Sequence, residues 1–176
     1  MIRPFLTFRS LPALFLACCL LSQGCTALKY TGPGIKTGMH IDAVLECAVE
    51  YPLLWIKERR LVYGSKNGEI LWTPPKADGT LLRLISQQRK TIDPEQQISA
   101  LLHESSDLEV SLREEVSLPA GDAVHIIAGS TEKHTEIYQI SGTNRSYLLS
   151  LTMLKKHRDA YSEVMDTVIH SFRILQ

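Results

Sequence analysis

The chain has 176 residues, with 19 Lys and Arg against 19 Asp and Glu and a formal charge of zero. Hydrophobic residues make up 44% of it, a proportion that excludes a disordered or fibrous chain and suits a folded domain. The absence of a basic excess argues against a nucleic-acid partner, which selects a positive footprint.

The first nine residues hold Arg3 and Arg9 and no acid. Leu11 to Leu21 (LPALFLACCLL) is apolar, and Ser22-Gln23-Gly24 leads to Cys25. A basic start, a short apolar run and a small residue before the cut form a secretory signal. The run is about half of the ~20 residues a spanning helix requires. Leu21-Ser22-Gln23-Gly24-Cys25 resembles the lipobox of bacterial lipoproteins in its looser form, with Ser22 where the commonest form has Leu. The resemblance implies that residues 1–24 are a signal peptide and that Cys25 becomes the lipid-modified first residue. It also implies a bacterial envelope protein facing the periplasm, anchored through the lipid on Cys25. Thr26, rather than Asp, after the cysteine favours the outer membrane over the inner one.

Removal of 24 residues leaves 152, enough for one domain with its own core. The mature part carries 17 basic and 19 acidic residues, a charge of −2. Residues 25–38, with Gly32, Gly34, Gly38 and Pro33, have the composition of a flexible tether. Gly34-Ile35-Lys36-Thr37 lacks the glycine spacing and preceding strand of a phosphate-binding loop. The domain is expected over residues 39–176.

Ile41, Ala43, Leu45, Cys47 and Val49 alternate with Asp42, Val44, Glu46, Ala48 and Glu50, which predicts one half-buried strand ended by Pro52. Cys47 then points into the core as an apolar filler. Arg60–Tyr63, Glu69–Thr73 and Thr80–Ser86, separated by turn-rich segments, predict an antiparallel meander. Asp93-Pro94-Glu95-Gln96 predicts a capped helix that ends near His103. Leu108, Val110 and Leu112 alternate with polar residues as a further strand. Residues 123–130 and 132–141 read as a hairpin pair, and a strand through Tyr147, Leu149, Leu151 and Met153 follows the turn at Ser141–Asn144. These last strands are expected to have one dry and one wet face. Tyr161, Val164, Met165, Val168, Ile169 and Phe172 form the stripe of a terminal helix that packs across the sheet.

The strand running into Pro52-Leu53-Leu54-Trp55 and the closing helix ending Ser171-Phe172 make the chain similar to PsbP-like and DcrB-like domains over roughly residues 40–176. That resemblance implies a single α+β domain with a central antiparallel sheet flanked by helices. Proteins of this group are mostly assembly factors and accessory subunits, and no shared catalytic residues carry over from them.

The sequence shows no constellation that commits to catalysis. His40, His103, His125, His134, His157 and His170 include no pair at the spacing of a helical metal site. Glu132, His134 and Glu136 would share one strand face, which is more often a solvated face than a metal site. Ser105, Ser106 and Asp107 near His103 are loop neighbours rather than a triad, and adjacent Glu114 and Glu115 would face opposite ways in a strand. Lys155, Lys156, His157 and Arg158 read as an exposed basic loop. Trp55, Tyr63 and Trp72 read as core aromatics, with a shared recognition edge as the alternative. The favoured reading is a non-enzymatic envelope lipoprotein with a protein partner, using no metal or other cofactor. A hydrolase with a dispersed site predicts a deep polar pocket, and a carrier of an apolar ligand predicts a dry cavity between sheet and helix.

Overall fold

The structure is a computed structural model that describes residues 36–175 apart from 77, 90–92, 105 and 106. The expected signal peptide, Cys25 and most of the expected tether lie outside the described residues. Strand β1 (Thr37–Asp42) takes the last two residues of that tether, so the ordered chain starts at or before 37 rather than at 39.

The expected strand over 41–50 is instead a hairpin between β1 and β2 (Cys47–Pro52). Asp42 makes the turn: its Oδ1 accepts the backbone N–H groups of Val44 and Leu45, both at 3.0 Å. Glu46 closes it in the left-handed region at φ 55. An Asx-type turn needs neither glycine nor proline, so alternation ran through it unbroken. Leu45, Cys47 and Val49 are buried as expected, while Ile41 is 67% exposed. Burial pushes the Cys47 thiol up to about 12, which leaves it protonated and inert.

Strands β3 (Ile56–Leu61), β4 (Gly68–Thr73) and β5 (Leu81–Gln88) form the meander. β3 starts four residues earlier than its sequence suggests, because pairing with β4, rather than its own pattern, sets its extent. Helix α1 (Pro94–His103) begins as predicted, with the Asp93 carboxylate accepting from Glu95 N–H at 3.1 Å. β6 (Glu109–Leu118), β7 (Gly121–Gly129), β8 (Lys133–Ser141) and β9 (Arg145–Leu154) follow as successive antiparallel hairpins. Lys155–His157 form a 3-10 turn, helix α2 spans Arg158–Ser171, and β10 is Arg173–Ile174. Among the described residues no helix is long and apolar enough to cross a membrane.

The strands form a seven-stranded antiparallel sheet, ordered β3-β4-β5-β9-β8-β7-β6, and a small sheet ordered β1-β2-β10. The expected α+β class with an antiparallel sheet holds. The expected covering by helices alone does not, because the small sheet shares one face with α2. Leu45, Cys47 and Val49 from that sheet and Val164, Met165, Val168, Ile169 and Phe172 from α2 and its end join one core. Ile70, Trp72, Leu82, Leu84, Tyr147, Leu149 and Leu151 meet them from the large sheet. Ile98 of α1 joins Ile126, Ile137 and Leu148 in a second cluster.

β9 is central, so it is buried on both faces rather than dry on one; Ser146 and Ser150 are buried beside Leu148. The buried Ser146 hydroxyl donates to Gln97 of α1 at 2.9 Å and accepts from Gln139 at 3.1 Å, which meets its polar demand. The two motifs behind the family resemblance are structural joints. Ser171 Oγ accepts from Glu50 N–H at 2.9 Å, tying the end of α2 to β2, and the Phe172 ring packs edge-on against Tyr147 at 5.2 Å. At the other motif, Trp55 N–H donates to Pro52 O at 2.9 Å and turns the chain into β3.

Candidate functional site

Cross-strand register assembles a polar cluster on the β6 side of the sheet. Glu114 of β6 lies opposite His125 of β7, and His125 lies opposite Tyr138 of β8. His125 Nδ1 is 3.0 Å from Glu114 Oε1, and its Nε2 is 3.1 Å from Glu136 Oε1. The Tyr138 hydroxyl donates to the same Glu136 oxygen at 2.9 Å. The Tyr138 ring stacks on the imidazole at 4.3 Å and 9°. Burial and the charge of Glu136 push the Tyr138 hydroxyl well above its ordinary range, so it stays a donor.

This geometry ties three strands together through one imidazole. A neutral imidazole carries one N–H, so bonding to both carboxylates at once requires a second proton within the group. Both ring nitrogens are engaged by carboxylates, which leaves neither aimed at a nucleophile or a substrate. The arrangement holds charge and position; it lacks the base-to-nucleophile contact of a hydrolytic site.

The row of Glu132, His134 and Glu136 is not assembled. Glu132 sits in the β7–β8 turn, where its carbonyl accepts from Lys155 N–H at 2.8 Å. Among the described residues no group of His, Cys, Asp or Glu has the geometry to hold a metal ion. His134 lines an open groove of about 500 Å³ with Gly129, Ser130, Lys155, Asp107 and Glu109. Burial, with Arg158 and Lys155 nearby, pushes His134 below its ordinary value. Lys155, Lys156 and His157 form a helical turn leading into α2 rather than a loop. Ser105 and Ser106 lie outside the described residues, and His103 is exposed at the end of α1. Glu115 faces away from Glu114, as strand alternation requires. A second groove, of about 840 Å³, runs past Glu46, Arg145, the β8–β9 turn and Arg173. Its buried Arg145 is already engaged, with Nε on Ser86 Oγ at 2.9 Å and a further bond to Lys66 O.

A second polar cluster joins the two sheets at the opposite side. Arg59 of β3 bonds Asp42 of β1 twice, Nε to Oδ2 at 2.5 Å and Nη2 to Oδ1 at 2.8 Å. Lys57 Nζ lies 3.3 Å from His40 Nδ1. Burial would raise the Asp42 carboxyl, but the Arg59 hydrogen bond and the Leu45 and Val44 N–H groups outweigh it and hold it below its ordinary value. Burial, followed by the Lys57 charge, pushes His40 down. Sequence reading missed this cluster, because alternation assigned His40 no partner.

The three aromatics share no edge. Trp72 is buried and stacks on Tyr51 at 5.6 Å, Trp55 is half-buried against Tyr161 at 5.5 Å, and Tyr63 is fully exposed. Nine of the eleven large apolar side chains exposed among the described residues fall between Met39 and Tyr63; the other two are Val110 and Leu112 of β6.

No family model matches the chain, and no curated protein matches it by sequence. The structure overlaps the solution structure of cyanobacterial PsbP from Synechocystis with a TM-score of 0.61 and 15% identity, over 81% of this chain and 95% of that one. Looser overlaps are with a Bacteroides thetaiotaomicron protein (TM-score 0.45, 13% identity, 78% of this chain and 48% of that one) and with LpqN of Mycobacterium tuberculosis, involved in cell envelope biogenesis (0.42, 12%, 84% and 88%). Of the three, the first alone overlaps closely enough to define a fold. The domain described here has a PsbP-like fold: antiparallel sheet, two helices, and a terminal helix tied to β2 through Ser171 and to β9 through Phe172.

Proposed function

We propose that this chain is a non-catalytic lipoprotein of the bacterial envelope, anchored through Cys25 and facing the periplasm, that binds a protein partner as an accessory or assembly factor. The placement favoured is the outer membrane. The observation that carries the reading is the β6 edge: a ten-residue strand, exposed over most of its length, with Val110 and Leu112 uncovered beside a held His–carboxylate cluster. An open sheet edge offers backbone groups and side-chain pockets to a protein chain. The His125 cluster keeps that edge in place while leaving no ring nitrogen for catalysis. The grooves lie at sheet ends and are open, unlike the deep polar pocket a hydrolase needs. A third groove, of about 490 Å³, runs between β3–β5 and α1, but it is open and lined by Arg60, Glu69, Arg83 and Glu104, unlike the dry cavity an apolar carrier needs.

The test is photo-crosslinking in intact cells from an unnatural residue at Val110, with one at Lys76 as the control, alongside mass spectrometry of the mature N-terminus. A discrete crosslinked protein at Val110 and a diacylated Cys25 are expected. Identical patterns at both positions would overturn the partner reading, and an unmodified Cys25 the anchor reading.

A further inference from the structure

We infer that the corner between β2 and β3 is the face this domain lays against the lipid bilayer. Leu53, Leu54 and Ile56, with Met39 of β1, make the apolar contact, and Lys36 and Lys57 meet anionic headgroups. The inference rests on the anchor reading of Cys25 and goes beyond it by fixing which side of the domain faces the membrane.

Exposure comes first. Leu54 is 67% exposed, Ile56 63%, Met39 54% and Leu53 52%, all at one end of the β1–β2 hairpin. Single exposed apolar residues are ordinary, but a group on one corner calls for a partner. The position of the corner comes second. Leu53 N–H donates to Lys36 O at 2.9 Å, and a side chain on Gly38 would come within 2.8 Å of Leu53 Cδ1. Leu53 is therefore packed onto residues 36–38, with Leu54 next to it in the chain.

Covalent reach comes third. Eleven residues lead from Cys25 to Lys36, and a chain of that length spans at most ~40 Å fully extended. The bilayer surface is thus the one apolar partner held permanently close to this corner, at a high effective concentration. β6 lies six strand spacings across the sheet from β3, about 29 Å away.

The chemistry of the corner agrees. Trp55, half-buried and edge-on to Tyr161, has the amphipathic placement of an interfacial aromatic. Lys36 and Lys57 supply positive charge, while Glu50 is turned aside to accept the Thr37 hydroxyl at 2.8 Å. Apolar side chains flanked by two lysines, one of them held 3.3 Å from His40, suit an interface where headgroups are anionic.

The experiment uses the mature lipoprotein in vesicles of phosphatidylethanolamine and phosphatidylglycerol carrying a lipid-borne quencher. Leu54→Cys and Glu115→Cys variants receive an environment-sensitive fluorophore; the buried Cys47 is protected from the reagent. The expected result is a blue-shifted, lipid-quenched label at position 54 and an unshifted, unquenched one at 115. Equal quenching at the two positions, with Cys25 shown by mass spectrometry to be lipidated, overturns the orientation but not the anchor. A label at 54 that is blue-shifted yet unquenched means that protein or a second copy covers the corner, and overturns the inference as well. An unmodified Cys25 overturns the anchor reading and the placement that depends on it. A Lys36→Glu, Lys57→Glu variant separates headgroup recognition from burial: quenching at 54 falls when phosphatidylglycerol is present and is unchanged in phosphatidylethanolamine with phosphatidylcholine.

Discussion

β3 and β6 border the same sheet, and each exposes most of its length, yet they are finished differently. On β3 two cations are used within the domain: Arg59 reaches across to Asp42, and Arg60 pairs with Glu58 at 2.7 Å and Glu69 at 3.3 Å. Alongside these charges, β3 and its flanks leave six apolar side chains outward between Leu53 and Tyr63. β6 keeps Glu109 and Glu115 exposed, holds Glu114 on His125, and has a register shift between Val110 and Leu112 that bends it. Charge and a bulge are the usual means by which an edge strand resists unwanted pairing. An edge whose charges are used internally suits a surface that is always present, such as a bilayer. An edge guarded by charge and a bulge suits water and a selective partner.

The hardest way to break this contrast is to remove the core that both edges share. Phe172 is fully buried, packs on Tyr147, and follows the Ser171 joint to β2. Phe172→Ala is expected to cost about 3–5 kcal/mol, read by urea unfolding. Hydrogen exchange should then accelerate in β2 and in β9 together. Loss of protection confined to the β1–β2–β10 sheet would show that the two edges are separate cooperative units.

The next effect is local to the apolar edge. Asp42→Ala removes the acceptor of two turn N–H groups and the partner of Arg59, and is expected to cost about 2–4 kcal/mol. Exchange should rise in β1 and β3 and stay unchanged in β6. A uniform rise would merge the edges into one unit.

Asp42 also marks the boundary of what could be read from sequence. The start of α1 was legible because Asp93 and Pro94 act within one turn. The core stripe of α2 and the inward Cys47 were legible because burial follows a single element's period. The β1–β2 turn was not, because a carboxylate made it without glycine or proline. The His125 cluster was not, because Glu114 and Glu136 each lie eleven residues from His125 and only cross-strand register brings them together. Scanning within single strands named Glu136, Glu114 and His125 separately, without pairing them, and missed Tyr138. That β6 would be an open edge and β9 a central strand depends on strand order, which a strand's own alternation does not encode.

A smaller effect belongs to the charged edge. His125→Leu removes the stack on Tyr138 and both carboxylate contacts, and is expected to cost about 1–2 kcal/mol. The loss should appear as faster exchange in β6 and weaker crosslinking from Val110, with the lipid quenching at position 54 unchanged. Loss of quenching at 54 would show that the edges are coupled across the sheet.

The smallest effect separates the edges by pH. His40 and Asp42 both have folded-state values below their ordinary ones, so the unfolded chain binds protons more readily at each. Stability therefore rises with pH where these groups titrate. The His40 share is complete above its ordinary value of 6.5 and is lost as the pH falls through its lowered folded value. The Asp42 share is complete above 3.8 and is lost as the pH falls through its own lowered value. Mild acid should thus weaken the β1–β3 junction first through His40, while the Arg59–Asp42 pair still holds. In urea titrations across this range, His40→Phe should reduce the upper slope, leaving the share of His134, whose value is also lowered by burial, and Asp42→Asn should change only the lower part. If His40→Phe left the upper slope intact, the acid sensitivity would belong elsewhere, and the apolar edge would have no more claim to it than the charged one.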